Sequence, residues 1–344
     1  MKLPGKRHRL AFWSAVALVA AVLVVLPFAL TQIGTAWVRI TNLALLYVML
    51  ALGLNIVVGF AGLLDLGYIA FYGVGAYTYA LLASPHFGLH LPFWVILPVG
   101  AAIAALFGVL LGAPTLKLRG DYLAIVTLGF GEIVRIFLNN LSRPVNITNG
   151  PQGVYRIDPF RIDGFSFATN QKVLGLEFSG PLKYYYLLVL LVALIVALNL
   201  RLQNSRIGRA WEAIREDEIA ARAMGIDTTG LKLLAYAMGA SFGGIAGGVF
   251  AAIQEFISPE SFVLVESVMV VSMVVLGAVL LSFVPEILRY SVAPLQQALF
   301  GRTLIAPEVI RMLLFGFAMV LVMLFRPAGL LPSAVRKREL AERE

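Results

Sequence analysis

The chain has 344 residues, of which 60% are apolar and only 13% charged, and it carries a formal net charge of +8. An ordinary soluble domain is about half apolar and a quarter charged, so this composition excludes one, and it also excludes a disordered chain. With no cysteine a disulfide scaffold is excluded too, and the basic balance reads as a membrane-orientation signal rather than as a nucleic-acid surface.

The apolar residues come in blocks of roughly 18 to 25, long enough for a bilayer core of about 30 Å. The first block, Leu10 to Leu30, follows a basic tail over 1–9 with Lys2, Lys6, Arg7 and Arg9. Its apolar stretch is longer than a signal peptide's usual core, which favours a retained anchor whose tail is cytoplasmic. Further blocks are Ile40–Phe60, a glycine-broken Leu66–Ala83, Leu91–Gly112, Asp121–Leu138, Tyr184–Leu200, Leu231–Ile253, Phe262–Val284 and Val309–Phe325. The expected fold is an all-α polytopic membrane protein of about 8–10 transmembrane helices, with the membrane domain over 10–325.

Alternate crossing from a cytoplasmic N-terminus puts 113–120 inside, with Lys117 and Arg119. It also puts 201–230 inside, with Arg201, Arg206, Arg209, Arg215 and Arg222. The long loop 139–183 falls outside and mixes both signs of charge, as the positive-inside rule expects. Apolar alternation around Thr169–Asn170–Gln171, with Phe165, Phe167, Val173, Leu174, Leu176 and Phe178, predicts a short external hairpin there.

The end of the chain breaks the count. Three blocks after residue 230 would leave the basic tail 326–344, with Arg336, Lys337 and Arg338, outside, whereas a basic tail belongs inside. Phe262 to Tyr290 is 29 residues, about 43 Å of helix, too short for two full crossings. Either Gly277 turns a re-entrant pair within 262–300, or residues are missing beside it.

Catalytic chemistry is hard to assemble. His8, His86 and His90 are scattered and cysteine is absent, so neither a zinc set nor a thiol nucleophile is available, and no cofactor is expected. Gly225 to Lys232 has the glycine spacing of a phosphate-binding loop, but Leu231 stands where the lysine must be. Energy for uphill transport would have to come from a partner or an ion gradient.

The most informative segment is 204–227, NSRIGRAWEAIREDEIAARAMGID. Asn204 or Ser205 can cap a helix that Gly225 ends, and Asp227 or Thr228 can cap the next. Ile207, Trp211 and Ile214 form one stripe, and Glu218 and Arg222 make a favourable i,i+4 pair. Such an elbow suits the docking of a soluble protein, although solvated amphipathic helices are also common at membranes.

This segment resembles the cytoplasmic loop of ABC-importer permeases, with Ala220–Ala221 and Gly225 matching part of their signature and Ile219 departing from it. Three further stretches resemble the M-type permeases of branched-chain amino-acid importers: Asn55–Tyr77 (NIVVGFAGLLDLGYIAFYGVGAY), Gly120–Arg135 (GDYLAIVTLGFGEIVR) and Phe325–Pro332 (FRPAGLLP). The resemblance implies a permease subunit in a bacterial inner membrane that takes leucine, isoleucine or valine. It also implies a second permease, two cytoplasmic ATPase subunits and an external binding protein, with both termini cytoplasmic. Urea or short amides remain open as substrates, and so does an ion-coupled secondary transporter. It implies ATPase coupling through Arg209, Glu212, Arg215, Glu216, Asp217, Glu218, Ala220, Ala221 and Gly225. A glycine-rich loop of that family is absent after Gly277, in line with the charge count.

Ionisable residues inside spans are costly and become pathway candidates. Glu132 and Arg135 could face a path or could pair near the outer headgroups. Asp65 could cap the following segment, and Asp121 could cap its own. Gly73 and Gly75, with Tyr68, Tyr72, Tyr77 and Thr127 nearby, read either as an interrupted helix able to bind a zwitterion or as a close-packing face. Gly239, Gly243, Gly244, Gly247 and Gly248 have the spacing of helix contact.

Overall fold

The computed structural model describes residues 21–32, 34–115, 118, 121–162, 165–173 and 176–276. The basic N-terminal tail, Lys117 and Arg119, the Gly277 junction, the Val309–Phe325 block and the C-terminal tail lie outside the described residues.

The chain is an all-α polytopic membrane protein. Helix α1 covers Ala21–Gln32, and α2 covers Thr35–Asn55 and runs on through a widened π turn, Ile56–Phe60. Then come α3 (Ile69–Leu82), α4 (Phe93–Thr115), α5 (Asp121–Asn140) and α6 (Gly180–Gln203). Two short helices, α7 (Arg206–Glu216) and α8 (Glu218–Ala223), precede the long α9 (Thr228–Gln254) and α10 (Leu264–Leu276). Among the described residues, five helices are long and apolar enough to cross a bilayer: α2 with its π turn, α4, α5, α6 and α9.

Helix α3 is the centre of the bundle. It is 14 residues long, about 21 Å, and is buried on nearly every side. A helix apolar all round has no face for water, so its neighbours must enclose it. Helices α9 and α4 do so through small residues. A Cβ on Gly75 would lie 2.1 Å from the carbonyl oxygen of Gly244, and one on Gly247 would lie 2.0 Å from that of Tyr72. On the same helix Gly239 packs on Val57 and the Gly53 carbonyl, Gly243 on Tyr68 and Phe71, Gly244 on Ala104 and Gly248 on Leu97. The small-residue face of α9 therefore touches α2, α3 and α4 at once.

Of the two readings of Gly73 and Gly75, the structure supports close packing. The helix is not interrupted at Gly73 and Gly75: α3 runs unbroken through both, because Gly75 admits the α9 backbone and Gly73 admits the ring of Phe262. The interruption lies upstream, in the non-helical stretch 61–68 between the π turn and α3.

The long loop is corrected as well. Among the described residues no strand pair turns at Thr169–Asn170–Gln171. Instead β2 (Arg161–Ile162) pairs with β3 (Phe165–Ser166), and β4 (Gln171–Val173) pairs with β5 (Leu176–Phe178), so the predicted turn separates two hairpins. In each pair the nearest partners, Ile162 with Phe165 and Val173 with Leu176, are three positions apart, so little chain entropy is lost in joining them. A third pairing joins β1 (Val154–Tyr155) to β6 (Phe256–Ile257) after α9, a contact between segments remote in sequence. The loop is pinned to the bundle through the ring of Phe160, which packs on Phe93, Trp94 and Phe167.

These close backbone approaches set the tolerance for added volume. Gly75→Ala and Gly247→Ala should each destabilise the protein by about 1–3 kcal/mol or more, because backbone rather than a flexible side chain must move. Gly129, where an added methyl would meet nothing within 4 Å, is the control. Gly129→Ala should be neutral or stabilising by about 0.5–1 kcal/mol. Thermal unfolding of the detergent-solubilised protein measures all three.

Candidate functional site

Two structures carry functional potential: the non-helical stretch 61–68 within the bundle, and the elbow formed by α7 and α8 at one of its ends.

Non-helical backbone at membrane depth is tolerated only where protein meets its polar groups. Here neighbouring helices do so. The Leu66 N–H donates to Thr127 Oγ1 at 3.0 Å, and Ser267 Oγ donates to the Leu66 carbonyl. The Gly67 N–H donates to Asp65 Oδ1 at 2.8 Å, and Tyr68 OH donates to the Gly239 carbonyl at 2.9 Å. Gly67 is needed for this approach, since a Cβ there would sit 2.0 Å from the Thr127 carbonyl oxygen. The stretch is thus clasped by α5, α9 and α10. Asp65 is fully buried and turns its own segment at Gly67, but it does not cap α3 as expected: the N-cap is Tyr68, and no side chain bonds that helix end. Its Oδ2, with Tyr77 OH and Tyr236 OH, is buried without a hydrogen-bond partner among the described residues.

Beside this stretch an aromatic cluster gathers Tyr72, Tyr77, Phe250 and Phe262. The Tyr72 ring lies 5.3 Å from Phe250 and 5.5 Å from Phe262, and Tyr77 lies 6.0 Å from Phe262. Helix α10 adds Glu266, whose Oε2 accepts from Tyr47 OH at 2.8 Å. The structure therefore gathers Asp65, Tyr68 and Thr127 at the unwound stretch, and Tyr72, Gly73 and Tyr77 around Phe262. Gly75 is spent on packing.

Glu132 and Arg135 stand apart. Arg135 Nε donates to both Glu132 oxygens at 3.0 and 3.1 Å, and its Nη1 reaches Glu260 Oε1 at 3.0 Å. The guanidinium bridges α5 to the turn Pro259–Ser261 that leads into α10. Glu260, Glu266, Ser267, Tyr47 and Phe262 were not singled out from the sequence. Glu266 had a readable signal, a carboxylate inside the apolar block Phe262–Val284; the others needed the fold.

The elbow follows the expected caps, with one change. Ser205 Oγ accepts from the Gly208 N–H at 3.1 Å, Gly225 takes φ +83°, and Asp227 Oδ1 accepts from the Gly230 N–H at 3.0 Å. The predicted single helix up to Gly225 is instead two. Asp217 adopts an extended conformation and its Oδ1 accepts from the Ile219 and Ala220 N–H groups, so it ends α7 and caps α8. A short acidic side chain that can bond the next turn's amides competes with helix continuation.

One face of α7 is anchored. Trp211 is fully buried, its Nε1 donates to the Leu231 carbonyl at 2.7 Å, and its ring stacks on Phe60 at 6.5 Å. Gly208 and Ile214 are buried beside it. Arg215 Nη1 donates to the Gly59 carbonyl at 2.7 Å. Glu218 faces the bundle, pairing with Lys232 on α9 at 2.7 Å and with Arg222 at 3.2 Å. Ala221 is buried, whereas Arg209, Glu216, Asp217, Ala220 and Gly225 are exposed and Glu212 is half-buried. Two apolar side chains at the two ends of α8 are exposed, Ile219 in its first turn at 70% and the C-cap Met224 at 83%. A cavity of about 180 Å³ lies between Ala61–Leu64 and the elbow residues Ile214, Arg215 and Glu218. Among the described residues no cluster of metal-ligating side chains occurs.

The Glu218–Lys232 pair makes a stability prediction. Glu218→Ala leaves a nearly buried ammonium without its carboxylate and should cost about 1–3 kcal/mol. The double variant Glu218→Leu with Lys232→Met should recover most of that loss in a thermal melt.

Comparison with known proteins gives the same picture. Residues 36–323 match the model of a family described as branched-chain amino acid transport system, permease component. The high-affinity branched-chain amino acid transport system permease protein LivM of Escherichia coli (strain K12) is 44% identical over 324 residues, covering 89% of this chain and 72% of that protein. LivM of Salmonella typhimurium (strain LT2) is 43% identical over 330 residues, covering 88% and 74%. A probable branched-chain amino acid transport permease protein LivM of Methanocaldococcus jannaschii is 26% identical over 339 residues, covering 84% and 91%. No solved structure matches. A helical bundle with an unwound internal stretch and a capped basic elbow, matched over most of its length, belongs to the branched-chain amino acid transport system permease family.

Proposed function

We propose that this chain is one permease of an ABC importer for leucine, isoleucine and valine. It works with a second permease, two ATPase subunits that bind the elbow, and an external protein that delivers the substrate. The chain itself catalyses no reaction; hydrolysis belongs to the ATPases. The observation that carries this reading is the elbow, a short amphipathic helix pair anchored on one face by Trp211 and Ile214 and offering Ile219 and Met224 on the other. Helices built only to lie on a lipid surface bury their apolar residues in it, whereas these two project from a helix already tied to α9 by Glu218. The names of the 44% and 43% identical relatives support the substrate.

The basic residues Arg201, Arg206, Arg209, Arg215 and Arg222 gather around the elbow, which supports a cytoplasmic position for it. The two-hairpin loop is then external, where a binding protein would arrive. Of the docking set drawn from the sequence, Arg209, Glu216, Asp217, Ala220 and Gly225 are exposed and Glu212 is half-buried. We keep these with Ile219 and Met224 added; Arg215, also exposed, is assigned to the Gly59 carbonyl instead. The substrate path runs beside the unwound stretch, where backbone groups suit a zwitterion and the rings of Tyr72, Phe250 and Phe262 suit a branched aliphatic side chain.

The assembled complex in proteoliposomes should take up leucine with ATP inside, with isoleucine and valine competing and urea not competing. Uptake driven by a proton or sodium gradient alone would instead identify a secondary transporter. Replacing Ile219 and Met224 by Asp should lower copurification of the ATPase subunits by about tenfold or more, equivalent to roughly 1.4 kcal/mol, while the permease still inserts.

A further inference from the structure

We infer that Arg215 is a positioning residue that couples the ATPase-facing elbow to the unwound stretch 61–68, by holding the carbonyl of Gly59 at the end of α2. The inference rests on the docking reading above, but it assigns Arg215 to the opposite face of the elbow from the docking residues.

The last carbonyls of a helix have no partner within it and must find one elsewhere. In α2 the final turn is widened: the Ala61 N–H reaches back to the Ile56 carbonyl and the Leu63 N–H to that of Val57. Arg215 Nη1 meets the Gly59 carbonyl at 2.7 Å, giving a charge-assisted bond. Its aliphatic stem lies along Gly62, which has φ +70° and where a Cβ would sit 2.5 Å from Arg215 Cγ. One residue on from Gly59, the Phe60 ring stacks on Trp211 of the same short helix.

Helix α7 therefore grips the chain at Gly59, Phe60 and Gly62, immediately before it unwinds. A few residues past Gly62 begin the bonds to α5 and α10 through Leu66. The elbow has two separate outputs. Glu218 and Lys232 connect α8 to α9, and Arg215 connects α7 to the unwound stretch. A side chain with a long apolar stem and a rigid donor fork can both pack on Gly62 and reach the carbonyl; a shorter residue can do neither.

The chain contains no native cysteine, which permits a direct test. A Cβ at position 62 would lie 3.2 Å from Arg215 Cβ, a few tenths short of the usual disulfide range of roughly 3.5–4.5 Å. In the full complex, Arg215→Ala should retain its ATPase subunits, yet the leucine moved per ATP hydrolysed should fall by about tenfold, the loss expected from one charge-assisted bond. Arg215→Lys should recover part of it. The pair Gly62→Cys with Arg215→Cys should transport poorly when reduced and recover when oxidised, because the disulfide replaces the lost link; Gly62→Cys alone controls for backbone strain. An unchanged transport-to-hydrolysis ratio in Arg215→Ala, or no recovery on oxidation, would overturn the inference. Loss of ATPase association in Arg215→Ala would overturn it too, by making Arg215 a docking residue, and would leave the docking reading intact.

Discussion

A bilayer offers no hydrogen bonds, so any chain that stops being helical inside a bundle must take its partners from neighbouring helices. The stretch 61–68 is where this protein meets that constraint, and much of its architecture follows from it. Thr127 on α5, Ser267 on α10 and the Gly239 carbonyl on α9 all bond to this segment. None of these helices could move far without exposing backbone that nothing else would satisfy. That makes the stretch a shared joint rather than a loop.

The joint needs close packing around it. Helix α3 is too short to span alone, and it is held by α9, whose glycines admit the backbones of α2, α3 and α4. Lipid tails supply no hydrophobic drive between helices, so close van der Waals contact through small residues has to provide the association. Helix α9 is itself held at both ends. It is fixed to the elbow by the Glu218–Lys232 pair and the Trp211 hydrogen bond at one end. Its other end runs into β6, which is paired with β1 of the long loop between α5 and α6. A permease that must change shape without losing its internal hydrogen bonds is well served by rigid elements meeting at one satisfied break.

The polar residues divide along the same lines. Glu132 and Arg135 read from sequence as either pathway or structural pair, and the fold joins them to Glu260 as a tie between α5 and the approach to α10. Glu218 and Arg215 read as a docking face, but Glu218 pairs with Lys232 of α9, and Arg215, although exposed, bonds the Gly59 carbonyl. The outward apolar residues Ile219 and Met224 carry no signal in one dimension, because isolated apolar side chains on a short helix look ordinary there. Their meaning comes from exposure on an element whose opposite face is anchored.

Sequence alone was sufficient for whatever depends on nearest neighbours and on solvent. Apolar block length marked the five long helices among the described residues, though the block Leu66–Ala83 yields only the 14-residue α3. Ser205, Gly225 and Asp227 marked the helix ends of the elbow, since capping is decided within three or four residues. Tertiary structure alone decided where the helix breaks, because Gly73 and Gly75 look like a break until the backbone of Gly244 and the ring of Phe262 are seen against them. It also decided which charges face inward and that β1 pairs with β6 about a hundred residues away. Those outcomes depend on which helix lies across which, and contacts between residues so distant in the chain leave no local pattern to read.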